Sequence, residues 1–463
     1  MQAYGEEKTQ LKKDFDDIQT KIFKQDIAGG GHNKLALQLA SWKPFSNESN
    51  TWFDPYWMYG VDKFDIVIGN PPYVFTRDVD FGPDFKDYVN REYFSSISLP
   101  NRSRARQSGK INLFAVFLLK GKRLITNKGS LIYIIPNNIL RGTVYDVIRY
   151  ELLMNNDIKS IVDLGAGVFS KVTASTILLQ IGNKSDVSPK TNVLTDVISL
   201  AETKYKQKEI QQDIFIENTS YTFNIMLNAV QLQLSNKIKR GKKELGSFCV
   251  DIIEGIVAHK YLILSNKGDN CFDLIEGKDI KRFAIRDSSN FIVWNKDEIH
   301  RTRPDYLWKE SKKIVMQRIS GGTMPLVAGI DKEKRKAFAS TNSIVLVDDY
   351  KNYYEFFTCL LNSKILNWYY ANNFSNNSNL TVNISKTFLE TLPIKIIKES
   401  KLQLFKDLHH KLEDTYGTPS FEQNYALLNK IIYKIYELTF KEVKIIDPEF
   451  KLTEKEYDNY QIN

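Results

Sequence analysis

The segment from residue 64 to residue 182 alternates short apolar runs with stretches of helical periodicity. The runs are rich in β-branched residues, which is typical of buried strands; they read FDIVIG, SLIYIIP, IKSIVDLG and TASTILLQIG. Apolar residues at helical spacing lie between them, around residues 113–124 and 145–154. This alternation predicts a doubly wound α/β sheet, whose first strand should be covered on both faces.

The residues before this segment predict a different kind of structure. Residues 6–24 have helix-forming composition with mixed charge, so they predict a solvated helix. The glycine run at residues 28–32 ends that pattern. A phosphate-binding loop would follow an apolar strand and precede a lysine-threonine pair, and neither is present, so we interpret the run as a flexible hinge.

The tetrapeptide Asn70-Pro71-Pro72-Tyr73 directly follows the first apolar run. Proline has no N–H and fixes its own φ, so the chain should leave the sheet here as a rigid loop. Such a loop lies at the carboxyl end of a strand, where open α/β sheets bind ligands. The alternative is a stiff exit from the strand, with Tyr73 as a packing residue.

The tetrapeptide carries groups suited to one kind of chemistry. The Asn70 side-chain carbonyl and a proline-locked backbone carbonyl are two fixed acceptors. If they hold both N–H groups of an exocyclic aromatic amine out of the ring plane, the nitrogen lone pair becomes available for attack. Tyr73 offers a face for a flat base, worth roughly 1–3 kcal/mol. This combination suits methylation of a nucleobase amine.

The tetrapeptide and its surroundings resemble the gamma-class N6-adenine DNA methyltransferases of type IIG restriction-modification systems. The matching segments keep the family's order, namely WKPF (42–45), WFDP (52–55), FDIVIGNPPY (64–73), GKINLFAVFLLKG (109–121), GSLIYIIPNNIL (129–140) and FSKVTASTILLQI (169–181). The resemblance implies S-adenosylmethionine as cofactor and DNA as substrate. It also implies that Phe117 borders the cofactor's adenine, and that Phe169 and Tyr73 stack on a flipped target adenine.

Three segments within this match have a second interpretation. By spacing alone, Phe117 belongs to an apolar helix face and fits the core, and Phe169 is an ordinary aromatic beside a strand. Residues 163–167, DLGAG, read like a cofactor loop. A cofactor loop should open into a helix, whereas a β-branched run follows here, so we interpret these residues as a turn.

In the family, the cofactor loop and three strands precede the catalytic tetrapeptide. Here 69 residues precede Asn70, and they contain no strand followed by a glycine-rich turn. We therefore expect a partial methyltransferase sheet with an uncovered edge at its first strand. Two interpretations stay open: a separate polypeptide supplies the N-terminal methyltransferase half or a nuclease, or the methyltransferase part is a truncated, inactive remnant.

The C-terminal part of the chain resembles the TaqI-like specificity domain, which reads DNA from the major groove. The matching segments are residues 254–256, 277–280, 313–319, 361–364, 382–385 and 392–394. Arg318 and the asparagine-rich loop 372–379, including Asn376, are candidate base contacts, although that loop is equally well read as a polar turn. Lys239 and Arg240 belong to a basic linker that either grips phosphates or is merely solvated.

Composition is consistent with these interpretations. The 463 residues carry a net charge of +9 with a pI near 9.0, which suits a polyanionic partner. The cysteines Cys249, Cys271 and Cys359 form no Cys-x-x-Cys pattern, and no long apolar stretch occurs, so we expect a cytoplasmic protein without a zinc site or membrane span. His409-His410, in a helical pattern, is interpreted as exposed surface.

The predicted organisation is an α/β methyltransferase sheet followed by an α+β DNA-specificity domain. The expected boundaries are an N-terminal segment at 1–62, a catalytic domain at 63–235, a specificity domain at 236–400 and C-terminal helices at 401–463. Three functions stay open: an adenine-specific DNA methyltransferase, a DNA-binding module with an inactive methyltransferase remnant, and methylation of an amine in RNA or protein. The long specificity domain argues against the third.

Overall fold

The computed structural model describes residues 5–29, 38, 40–43, 54–76, 78–79, 81, 84–100, 112–169, 175–185, 189–375 and 382–462. Among these residues, the helices α1 (Gly5–Ala28) and α2 (Pro55–Tyr59) precede the first strand. Helix α1 confirms the helix predicted at residues 6–24. Its Phe15 ring lies 5.7 Å from the Trp42 ring, and Trp42 lies 5.9 Å from Tyr59, so aromatic contacts hold α1 near the start of the sheet.

The first sheet has six strands, and it contains all four strands that the apolar runs predicted. They are β1 (Phe64–Gly69), β2 (Ile125–Pro136), β3 (Asn156–Gly165), β4 (Thr176–Asn183), β5 (Lys190–Ser199) and β6 (Lys204–Gln211), in the order β1-β2-β4-β3-β5-β6. The pairs β1·β2 and β3·β5 are parallel, whereas β4 runs antiparallel to both of its neighbours. This mixed sheet confirms the predicted α/β class.

The helices that follow β1 pack on one face of this sheet. They are α3 (Phe85–Val89), which continues into a π-helical turn (Asn90–Phe94), α4 (Leu113–Gly121) and α5 (Asp146–Asn155); α6 (Gln212–Glu217) follows β6. Their buried side chains form one core with alternate strand residues such as Leu131, Ile161 and Leu179. Because side chains alternate between faces along a strand, the remaining strand positions point to the opposite face.

The opposite face is apolar and open at β1. Ile66 is 66% exposed and Ile68 is 75% exposed, and their pairing partners on β2 include Ile132 opposite Ile68. Among the described residues, strand β1 pairs only with β2, and its other edge is free of a pairing strand there. The free edge was predicted from the sequence, but the expectation that β1 is buried on both faces was wrong.

The C-terminal region is built on two four-stranded sheets. The first, β18-β16-β20-β8, is antiparallel, and consists of β8 (Cys249–Glu254), β16 (Lys313–Gln317), β18 (Ala328–Asp331) and β20 (Thr341–Leu346). The second, β10-β14-β11-β19, consists of β10 (Ile263–Leu264), β11 (Cys271–Ile275), β14 (Asn290–Val293) and β19 (Lys336–Ala337).

Short two-stranded ribbons complete the strands of this region. They are β7·β22 (Lys243–Glu244 with Pro393–Ile394), β9·β15 (Val257–Ala258 with Ile299–Arg301), β12·β13 (Ile280–Lys281 with Ala284–Ile285) and β17·β21 (Ile319–Ser320 with Val382–Asn383). With the helices below, they confirm the α+β class predicted for the part that follows the methyltransferase sheet.

Nine helices among the described residues accompany these strands. They are α7 (Ala229–Lys239), α8 (Tyr306–Lys309), α9 (Tyr354–Leu361), α10 (Lys364–Phe374), α11 (Lys386–Glu390), α12 (Leu402–Asp414), α13 (Pro419–Ile435), α14 (Phe440–Ile446) and α15 (Glu454–Asn459). Helices α9, α12 and α13 bury Phe357, Phe405 and Leu428 in one core with the β16 and β20 side chains. In the part of the chain that the structure describes, no helix is both long and apolar enough to cross a membrane.

Candidate functional site

The loop that starts at Asn70 is fixed at both ends. Asn70 is exposed at the carboxyl end of β1, Pro71 is buried and Tyr73 is half-buried. Four residues after Asn70, the Val74 carbonyl accepts a hydrogen bond from the Leu113 amide at 2.8 Å. This bond ties the loop to the first turn of α4. The exit from the strand is therefore held in one position, and the exposed Asn70 side chain is presented beside it.

Tyr73 and Phe169 lie together although they are far apart in sequence. Their ring centroids are 6.4 Å apart, and the ring planes are inclined by 72°. The Tyr73 hydroxyl donates to the Ile134 carbonyl of β2 at 2.9 Å, which fixes the ring against the sheet. Because the two rings are nearly perpendicular, a base that lies flat on one of them would meet the other edge-on.

The segment that carries Phe169 is a turn, as interpreted from the sequence. Strand β3 ends at Gly165, where the Asp163 carboxylate accepts from the Gly165 amide at 3.1 Å. Gly165 and Gly167 have φ values of +67° and +84°, which side chains rarely adopt. The next element among the described residues is a strand, β4 (Thr176–Asn183), whereas a cofactor loop should open into a helix.

Phe117 does not belong to the core. Its side chain is 43% exposed on α4, whereas Phe114 and Leu118 of the same helix are fully buried. The interpretation of Phe117 as a core residue from its spacing was therefore wrong. Its role at the cofactor stays a prediction.

Arg141 is a buried cation at the same edge of the sheet. It was not predicted from the sequence. It follows the loop after β2, and its Nη2 donates to the Asn224 Oδ1 at 3.0 Å. Burial lowers the pKa of Arg141 to about 10, while the nearby Asp163 carboxylate acts in the opposite direction. Among the described residues, its Nη1 has no hydrogen-bond partner. The available sequence signal was a charged residue directly after the apolar pair Ile139-Leu140.

Arg149 holds the loop that carries Arg141. It is fully buried, and its guanidinium donates to the carbonyls of Ile139 and Gly142 at 2.8 and 2.9 Å and to the Ser220 carbonyl. Burial lowers the pKa of Arg149 to about 9, and the neighbouring Asp146 opposes that change. These hydrogen bonds replace the ones that the guanidinium loses to water on burial. They also connect the loop after β2 with the loop at Ser220.

The asparagine-rich segment is partly a helix. Asn372 and Asn373 lie in the last turn of α10, where their side chains donate to the carbonyls of Trp368 and Tyr369 at 2.8 Å. The interpretation of 372–379 as a loop from its first residue was therefore wrong, because the helix continues to Phe374. Asn376 lies outside the described residues.

The same asparagines connect the two regions of the molecule. Asn224 follows the six-stranded sheet and α6, and its Nδ2 donates to the Asn372 carbonyl of α10 at 3.0 Å. The Ser235 hydroxyl donates to the Asn373 Oδ1 at 3.1 Å. Together with Arg141, Asn224 links the functional edge of the sheet to α10.

The other predicted DNA contacts lie in two places. Arg318 is only partly exposed, because its Nη2 pairs with Glu254 at 2.9 Å and its Nη1 donates to the Ala339 carbonyl at 3.1 Å. Lys239 and Arg240 are exposed at the end of α7. Arg318 directly precedes β17, and β17 pairs with β21 (Val382–Asn383).

The two histidines interpreted as exposed surface differ from each other. His410 is exposed, but His409 is fully buried, so the prediction was wrong for His409. Helix α12 turns His409 toward the core, where its ring lies 6.0 Å from Phe283. Within the described ranges, no group of three potential ligands could hold a metal ion.

Two protein families match this chain. Residues 2–169 match the family described as Eco57I restriction-modification methylase, and residues 272–394 match the TaqI-like C-terminal specificity domain. The two matches have the same order as the sheet with its Asn70 loop and the α+β region.

Two curated relatives agree with these matches. A candidate type II restriction enzyme and methyltransferase of Methanocaldococcus jannaschii, RM.MjaORFECS2P, is 24% identical over 94% of this chain and 37% of its own length. The type II methyltransferase M.AccI of Acinetobacter calcoaceticus is 29% identical over 27% of this chain and 22% of its own length. The chain thus spans little more than a third of the length of the first relative and about a fifth of the length of the second.

A solved structure shares the fold. The type IIL restriction-modification enzyme MmeI, solved in complex with DNA, aligns with a TM-score of 0.54 at 12% identity, covering 85% of this chain and 57% of MmeI. The similarity extends across both regions of the chain.

Proposed function

We propose that this chain, which belongs to the Eco57I-type restriction-modification methylases and carries a TaqI-like C-terminal specificity domain, methylates N6 of adenine in DNA. The observation that carries the proposal is the pairing of Tyr73 with Phe169, 6.4 Å apart, beside the exposed Asn70 at the end of β1. Enzymes that act on a base in duplex DNA first extrude it, and paired aromatic rings suit an extruded base.

In this proposal Asn70 activates the amine. The Asn70 side-chain carbonyl and the Pro71 carbonyl accept the two N–H groups of the adenine amine and draw them out of the ring plane. The nitrogen lone pair, released from the ring, would then form the new N–C bond with the methyl carbon. The bond from that carbon to the sulfonium sulfur of S-adenosylmethionine would break, S-adenosylhomocysteine would leave, and the amine proton would pass to solvent. These bonds strengthen as the nitrogen becomes pyramidal, so they favour the transition state over the ground state.

The methyl group would come from S-adenosylmethionine, which supplies an electrophilic methyl carbon when bound. The described residues offer one wall for it, the exposed Phe117 on α4. One aromatic wall does not enclose a cofactor of that size, since ligand sites bury most of their ligand. We therefore assign the rest of the cofactor site to additional polypeptide.

That polypeptide would pack on the free edge of β1 and the open face that contains Ile66 and Ile68. An unpaired edge strand presents a row of backbone donors and acceptors that another parallel strand can use. Burying two isoleucines would stabilise the joint by about 3 kcal/mol or more. A separate chain that carries the family's cofactor-binding half, or a longer form of this one, would provide both.

DNA is the proposed substrate and partner of the C-terminal region, and a basic excess of +9 favours a polyanion. The contacts predicted at Arg318, Lys239, Arg240 and Asn376 stay proposals. The second candidate function is a DNA-binding module with an inactive methyltransferase part, and the open face at β1 is the observation that favours it.

One experiment separates the two functions. The purified chain would be incubated with DNA and S-adenosylmethionine labelled in its methyl group, alone and with a polypeptide that carries the family's cofactor-binding half. We expect N6-methyladenine in digested DNA only in the second mixture, and none when Asn70 is replaced by alanine. DNA binding without methylation in every mixture would favour the binding module.

A further inference from the structure

A small ribbon projects from the specificity region beside the predicted contact Arg318. It consists of β9 and β15, which pair in antiparallel orientation. Ile299 and Ala258 pack into the core below it. Five exposed side chains of the ribbon and its flanks are basic or aromatic, namely His259, Lys260, Tyr261, His300 and Arg301, and the acidic Asp297 and Glu298 are exposed beside them.

The rings on this ribbon hold one another in place. Tyr261 stacks on His259 with centroids 5.4 Å apart and planes inclined by 15°, and His300 lies 4.4 Å from His259. The Tyr261 hydroxyl donates to the Glu298 carboxylate at 2.9 Å. An exposed surface that is ordered before binding loses less conformational freedom when it meets a ligand.

The base of the ribbon is fixed by an arginine-glutamate-arginine arrangement. The Arg303 Nε donates to the Gly255 carbonyl at 3.0 Å, and its Nη2 lies 3.5 Å from Glu254. Arg318 pairs with the other oxygen of Glu254 at 2.9 Å. Glu254 therefore offsets two arginine charges. The ribbon cations Arg301 and Lys260, in contrast, form no ion pair within the described part of the chain.

We propose that the β9–β15 ribbon enters the major groove of DNA and that Arg301 reads a base edge there. This inference rests on the proposed DNA-binding function. The major groove, about 12 Å wide, admits a two-stranded ribbon, and the bidentate pairing of arginine with guanine is its commonest specific contact. Glu254, Arg303 and Arg318 support the ribbon from behind.

The test uses the full chain and does not require catalysis. Duplexes that bind the wild-type chain would be selected from a pool with a randomised central segment. The affinity of the wild-type chain and of Arg301→Ala for the enriched sequence would then be measured. The loss of one bidentate contact should weaken binding of that sequence about 5- to 150-fold and remove the preference at one base pair. Lys455→Ala, an exposed cation on α15, is the matched control and should leave both unchanged.

A double variant, His259→Ala with His300→Ala, tests the ring stack. It should weaken binding of the selected sequence while the melting temperature of the chain stays within a degree of the wild type, because the rings are exposed. Unchanged affinity in both variants would overturn the proposal. A uniform loss on all duplexes with the preference intact would overturn the assignment of Arg301 to a base edge. A wild-type chain that binds no duplex would overturn this inference and the proposed function together.

Discussion

The two sheets of this protein are covered to very different extents. In the C-terminal sheet every residue of β20 is buried. Its side chains alternate between two cores, with Ile344 and Leu346 in one and Val345 in the other. The methyltransferase sheet has a core on one face only, and its first strand leaves Ile68 75% exposed on the other.

This difference indicates how the two regions can act. A sheet with a core on each face is stable without further partners, whereas a free edge beside exposed isoleucines is a surface for association. The loop at Asn70, which we propose to be catalytic, lies at the end of that strand. We therefore expect DNA binding to be a property of the chain itself, and methyl transfer to depend on completion of the sheet.

The largest expected effect is on turnover. Asn70→Ala should lower kcat of the completed enzyme by about 100- to 1000-fold, since it removes an interaction made in the transition state. The affinity for DNA, which we assign to the C-terminal region, should stay within about twofold of the wild-type value. Steady-state kinetics and a binding titration on the same preparation measure both. Near-normal turnover in this variant would contradict the mechanism proposed for Asn70.

The second prediction compares matched isoleucines on the two sheets. Ile344→Ala should destabilise the C-terminal region by about 2–5 kcal/mol, because the residue is fully buried. Ile68→Ala should change the stability of the isolated chain by less than about 0.5 kcal/mol, because Ile68 is exposed. Urea unfolding measures both values. Ile68→Asp should in addition prevent completion of the sheet. A large loss of stability in the isolated Ile68→Ala chain would show that its face is already covered.

The fold class could be predicted because it depends on local patterns. Strands such as residues 125–136 are marked by apolar runs, and the loop at Asn70 is marked by two prolines. Coverage of a sheet face depends on other elements packed against it, and no local pattern contains that information. For this reason the prediction that β1 is buried on both faces was wrong. Its free edge was predicted from the comparison with the family's strand order.

The third prediction concerns pH and the buried His409. Burial lowers the pKa of His409 to about 3, from an ordinary value of 6.5. The unfolded chain therefore binds a proton that the folded chain does not, so stability falls as the pH drops from 6.5 toward 3. At pH 5 this costs about 2 kcal/mol relative to pH 8.

His409→Leu should remove this part of the acid sensitivity. His410→Leu is the matched control on the same helix, and its pH profile should follow the wild type. Urea unfolding at pH 8, 6 and 5 measures the difference. If the free energy of unfolding depends on pH equally in the two variants, His409 is not the group responsible.

The smallest effect is expected at the aromatic pair. With 2-aminopurine at the target position, base extrusion should raise fluorescence on binding to the completed enzyme, because the probe leaves the stacked duplex. Replacing both Tyr73 and Phe169 by alanine should reduce capture of the probe about tenfold or more, since stacking contributes roughly 1–3 kcal/mol per base. An unchanged signal would assign both rings to packing.

Single-residue roles were harder to predict than elements. Phe117 fits a helical apolar face by spacing, yet the helix turns it outward, because Phe114 and Leu118 already fill the space against the sheet. His409 and His410 are adjacent in sequence, but His409 is buried and His410 is exposed on α12. Asn372 looked like a loop residue because asparagines follow it, whereas helix packing extends α10 to Phe374. In each case the deciding information lies in tertiary contacts.

The most direct test of the difference between the two regions is a calorimetric titration with S-adenosylmethionine. The chain alone should show no saturable binding, although the same preparation binds DNA in a salt-dependent manner. Adding a polypeptide with the family's cofactor-binding half should produce one-to-one binding, and Ile68→Asp should abolish it. Tight stoichiometric binding by the chain alone would contradict the account, and the turn at residues 163–167 would then be the first candidate for the cofactor loop.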